Sequence, residues 1–286
     1  MQRKISLEKI LIHTENLPTL PEVLVKLNEV VNSPFSSFEE FSKIIEKDTG
    51  LTARVLKIVN SAFYGFPRKI DRVSKACALL GTQQIINIVF ATKIIDSFNG
   101  IDKKYVDMKS FWQHSIITGI VAKLSSTILK EINPESYFVS GLLHDIGRIL
   151  FFKSYPDVMM DILSRHKDDN KLLWKLEEEV FGFDHAKLGG ILLNKWKFPA
   201  DQQEKVMFHH YPSVSELHKR PCAIIHVSNI IAKSMIPCTS GDFFITPLDR
   251  VAFDSLNLTD HSIKFIVNKS EELFDEIVTF FLNDAD

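Results

Sequence analysis

The residues of this chain whose types could do chemistry together are histidines. His114, the neighbours His144 and Asp145, His185, the neighbours His209 and His210, and His226 all fall within one stretch of apolar, helix-like sequence. Imidazole and carboxylate are the ligands that iron, manganese and zinc accept. Facing helices of a bundle build metal sites from such side chains, and a metal so held lowers the pKa of bound water enough for phosphoester hydrolysis. His144 and Asp145 point about 100° apart if both lie on one helix. They converge on one ion only near a helix end, and Gly147 is the expected end. His226, between Ile225 and Val227, reads instead as a hydrogen-bonded core histidine. His13, His166, His218 and His261 are expected at surfaces or helix ends.

The elements that must position these side chains read as helices throughout. Leu20, Leu24, Leu27 and Val31 recur at helical spacing, with Pro21 suited to a first turn. Ser37-Phe-Glu-Glu40 predicts a capping box. A helix through Leu51–Val59 should stop at Asn60-Ser61, ahead of the breakers in Tyr64-Gly-Phe-Pro67. Ser74 is the expected cap of a short helix ending at Gly81, and Thr82 the start of the next, to about Phe98. Asn99-Gly100 reads as a turn and a lobe boundary. Asn133-Pro134-Glu135 predicts N-cap, N1 and N2 of the helix that carries His144 and Asp145. Asp184 predicts the cap of the helix that begins near His185. From Thr246 onward the apolar pattern predicts two or more closing helices. No convincing strand alternation occurs, and the expected class is all-α.

Composition narrows the function classes. A length of 286 residues with 45% hydrophobic and 24% charged residues suits a soluble globular chain with an ample core. The net charge of −2, with no basic block, argues against a nucleic-acid binder. Cys77, Cys222 and Cys238 are scattered and odd in number, which suits reduced thiols better than a disulfide frame. No signal peptide and no membrane span is expected, so the expected location is cytoplasmic.

Several segments, in order, resemble one family. Phe111-Trp-Gln-His114, Gly141-Leu-Leu-His144-Asp145-Ile-Gly147, Phe181-Gly-Phe-Asp-His185-Ala-Lys-Leu-Gly189 and His209-His210 are similar to motifs of the HD metal-dependent phosphohydrolases, including the extra histidines of two-metal members. Leu17-Pro-Thr-Leu-Pro21, Asp48-Thr-Gly-Leu51, Asn60-Ser-Ala-Phe-Tyr-Gly65 and Leu80-Gly81 resemble the HDOD module, the HD-related output domain. The resemblance implies a two-lobed helical bundle. It places an N-terminal helix at 1–16, the module at 17–214 (lobes 17–100 and 101–214), and C-terminal helices at 215–286 completing the HD-like bundle. Phe63, Tyr64 and Phe66 are then expected to plug a seam between lobes.

It also implies the metal ligands His114, His144, Asp145, His185, His209 and His210, with iron, manganese or zinc as the candidate cofactor. The chain departs from the pattern where it counts for catalysis. The last HD ligand is an Asp, and this chain has His226-Val-Ser-Asn229, an amide that brings no charge. His209-His-Tyr-Pro does not continue into the Gly-Tyr-Pro signature of cyclic-di-GMP phosphodiesterases, and Arg148 follows Gly147 where a lysine is usual. The expected function is therefore a bacterial signal-transduction output module without catalysis, with signalling proteins as partners and a small nucleotide as a candidate ligand. The alternative is a metal-dependent phosphohydrolase acting on a nucleotide or small phosphoester.

Overall fold

The computed structural model describes residues 20–31, 37–98, 101–236 and 241–282. Every element they form is helical, as the sequence predicts. The segments 1–16 and 17–19, the turn at Asn99-Gly100, Cys238 and His13 lie outside the described residues. The described chain divides into two compact units, one built from 101–270 and one from 20–98 together with 271–282. Among the described residues no single helix is long and apolar enough to cross a membrane.

The second unit begins with α1 (Glu22–Val31), α2 (Phe38–Glu46), α3 (Thr49–Val59), α4 (Val73–Leu80) and α5 (Thr82–Ser97). The predicted capping box closes α2: Glu40 N–H donates to Ser37 Oγ and Ser37 N–H to the Glu40 carboxylate. Asn60 ends α3 and does more than stop it. Its Oδ1 accepts from Ile70 N at 2.7 Å, while Nδ2 donates to the carbonyls of Leu56 and Ile70. One amide thus pins both ends of the loop holding Phe63 and Tyr64, which pack edge to face. The expected cap Ser74 is displaced: α4 starts at Val73 with Arg72 at the N-cap and no side-chain cap bond. Val73 is buried, so apolar packing fixes this helix start in place of a hydroxyl.

The first unit runs through α6 (Met108–Ile128), α7 (Pro134–Leu143), α8 (Ile146–Ser154), α9 (Pro156–Asp168), α10 (Leu173–Phe181), α11 (His185–Lys195), α12 (Ala200–Met207), α13 (Lys219–Met235) and α14 (Arg250–Leu256). The predicted caps are present: Asn133 accepts from Ser136 N with Pro134 at N1, and Asp184 accepts from Lys187 N at 2.8 Å. The closing helix α15 (Asp260–Leu282) gives its residues 260–270 to the first unit and 271–282 to the second.

Candidate metal centre

His114 sits on α6 and His144 follows α7, and small residues let those helices meet. A Cβ on Gly141 would lie 2.7 Å from Gly119 Cα, closer than real contacts allow, so α6 and α7 touch backbone to backbone here. The rings of His114 and His144 then pack edge to face at 5.2 Å. The helix end expected at Gly147 comes four residues earlier. α7 finishes at Leu143 with His144 as its C-cap, Asp145 serves as N-cap of α8, and Gly147 lies in the first turn of α8. His144 and Asp145 occupy the break itself, which is how adjacent residues reach one place. Gly147 has another duty: a Cβ there would fall 2.1 Å from the His185 carbonyl oxygen, so α8 and α11 approach only through glycine.

Asp145 is the hub. Its Oδ1 lies 3.0 Å from His185 Nε2, 3.3 Å from His144 Nε2 and 3.7 Å from His209 Nε2. The other nitrogen of each ring is tethered. His144 Nδ1–H donates to Gly141 O (2.7 Å), His209 Nδ1–H to Val206 O (2.8 Å) and His185 Nδ1–H to Glu177 Oε2 (2.6 Å). Such tethers fix the orientation of each ring; on His144 and His209 they turn the Nε2 lone pair towards a metal, whereas His185, pushed up to about 10, gives up a proton in order to ligate. His144 Nε2 and His209 Nε2 are buried with no hydrogen-bond partner. Two orphaned imidazole nitrogens beside a carboxylate oxygen fit a divalent cation. His210 completes this side, with Nε2 3.0 Å from His185 Nε2 and its ring stacked on Trp174. His185, His209 and His210 have ligand atoms within 4.8 Å of one another, as do His114, His144 and Asp145.

Charge follows burial and partners. Burial lowers the pKa of His114 to about 3 and lowers those of His144, His209 and His210, so these rings are neutral at pH 7 and able to ligate. For His185 burial acts the same way, but the carboxylates of Glu177 and Asp145 outweigh it and push the ring up to about 10. Burial would raise the Asp145 carboxyl; the His144 and His185 imidazoles and the Arg148 guanidinium prevail and hold it well below the usual range.

The remaining sequence candidates separate cleanly. His226 is a satisfied core histidine: its Nδ1–H donates to His209 O at 2.8 Å, and Nε2 accepts from Asp249 N at 3.0 Å. His166 lies in the last turn of α9 as expected, yet it is fully buried, donating to Lys171 O and accepting from Phe243 N. Asn229 is buried on α13 with Oδ1 3.0 Å from His114 Nε2.

Two residues of the site escaped the sequence reading. Glu177 hides in the run Glu177-Glu-Glu179, which looks like a solvated face. Its place on the buried stripe Leu173, Trp174, Leu176, Phe181 was the available signal. Lys233, one turn beyond Asn229, is buried in a pair with Asp242, and nothing local marks it.

The HDOD domain model matches residues 17–212. The chain belongs to the HDOD family. This HDOD chain is 24% identical, over 222 residues and 76% of its length, to an uncharacterised protein of Treponema pallidum (strain Nichols), and it spans 42% of that curated relative. Three solved structures share its fold. One, provisionally named a phosphohydrolase, is from Shewanella amazonensis (TM-score 0.73, 23% identity, 95% of this chain and 96% of that one). Another is an HDOD domain protein of unknown function from Geobacter sulfurreducens (TM-score 0.68, 23% identity, 96% and 99%). The third, provisionally named a signal transduction protein, is from Marinobacter aquaeolei (TM-score 0.70, 17% identity, 98% and 62%).

Proposed function

We propose that this HDOD chain is a bacterial, cytoplasmic signalling output module that holds a divalent metal (iron, manganese or zinc) in its histidine cluster and does not turn over phosphoesters. One observation carries the non-catalytic part: the position of the last HD carboxylate is the amide of Asn229, and that amide is already engaged with His114. A neutral amide supplies no charge to a hydrolytic two-metal centre. The metal part is supported by the orphaned Nε2 atoms of His144 and His209 around Asp145. The free, buried thiols of Cys77 and Cys222, both pushed up to about 12 by burial, suit a reducing compartment. The signalling role draws on the name of the Marinobacter aquaeolei protein of the same fold. Signalling proteins are the proposed partners, and a small nucleotide is the proposed ligand.

The orphaned imidazoles also favour a second reading, a metal-dependent phosphohydrolase, since a working centre needs the same open nitrogens. Elemental analysis of protein purified without tag or chelator, paired with phosphoesterase assays on nucleotides and small phosphoesters, separates the two. Stoichiometric metal with no turnover supports the output module. Turnover that is lost in His144→Ala establishes the hydrolase.

A further inference from the structure

The two oxygens of Asp145 do different things. Oδ1 faces the three imidazoles at 3.0, 3.3 and 3.7 Å. Oδ2 accepts from Arg148 Nη1 at 3.1 Å. Arg148 is fully buried, three residues on from Asp145, with its guanidinium over the Phe111 ring at 6.0 Å from the centroid. It has no solvent to swing into. In two-metal sites the ions lie about 3.5–4 Å apart, and a carboxylate that bridges them gives one oxygen to each. Here the second oxygen is taken. The ring beyond it has its Nε2 engaged too, 3.0 Å from Asn229 Oδ1, which leaves only its Nδ1 without a hydrogen-bond partner.

We propose that Arg148 is a built-in cation that occupies the outer oxygen of Asp145 and limits the cluster to one metal ion, held on Oδ1 with His144, His185 and His209. This rests on the metal-binding reading above and adds to it the number of ions and the residue that sets it.

The test is a titration of the metal-stripped full chain with Mn(II), followed by calorimetry and electron paramagnetic resonance. The wild-type chain takes one equivalent and shows the spectrum of an isolated ion. Asn229→Asp also stays at one equivalent, because the new carboxylate leaves Oδ2 with Arg148; circular dichroism checks that this variant is folded. The double variant Arg148→Met, Asn229→Asp takes two equivalents with an exchange-coupled spectrum. Two equivalents in the wild type or in Asn229→Asp alone would overturn the role of Arg148 and leave metal binding intact, as would one equivalent in a folded double variant. No bound manganese in the wild type would overturn the metal reading itself, and this proposal with it.

Discussion

The two sides of the histidine cluster use the same residue types and are wired in opposite ways. Around Asp145 Oδ1, the rings of His144, His185 and His209 are each tethered through Nδ1 and turn Nε2 inward. Across Asp145, the His114 ring is engaged by Asn229 and Oδ2 is engaged by Arg148. A histidine's availability to metal is thus decided by what its other nitrogen does and by what holds the neighbouring carboxylate, more than by its place in a motif.

The largest expected effect comes from removing the hub that both sides share. Asp145→Ala loses all metal by elemental analysis. It also removes the carboxylate that accepts from the buried Arg148, lowering stability by about 3 kcal/mol in urea unfolding. Next is Gly147→Ala, whose methyl meets the His185 carbonyl and forces α8 from α11; about 3 kcal/mol of destabilisation is expected from thermal or urea melts. Saturation of the open side should be visible in stability as well. Manganese at a hundredfold its Kd adds about 2.7 kcal/mol, an increment that chelator reverses and Asp145→Ala never shows.

Glu177→Gln weakens the tether of one inward ring, and calorimetry should record an affinity for manganese lower by about 10–100-fold. His114→Ala, on the engaged side, should change that affinity far less; an equal loss from both would erase the distinction drawn here. The smallest effect belongs to Asn229→Asp. Phosphoesterase assays should find no new turnover, since Oδ2 stays with Arg148.

Local signals in the sequence were reliable where a single side chain does the work. Ser37, Asn133 and Asp184 cap the helices they were expected to cap, because an N-cap bond reaches only two or three residues. Ser74 failed for the converse reason: burial of Val73 sets that helix start, and burial is not local. Gly147 was read as a helix end from its flexibility, but its missing Cβ serves a contact with a residue far along the chain. Glu177 was lost among its acidic neighbours because only helix packing distinguishes the inward one.

By itself the sequence determined the all-helical class, the family, and the set of histidines and carboxylate that meet. Helical periodicity and capping are short-range, and the motifs are long and ordered. Only the tertiary structure decided which nitrogen of each ring is open, which oxygen of Asp145 is taken, and that Glu177, Arg148 and Lys233 belong to the site. Some of these contacts span only three residues, as Arg148 to Asp145 does, but which atoms they engage depends on burial among rings and charges that other helices bring from far along the chain.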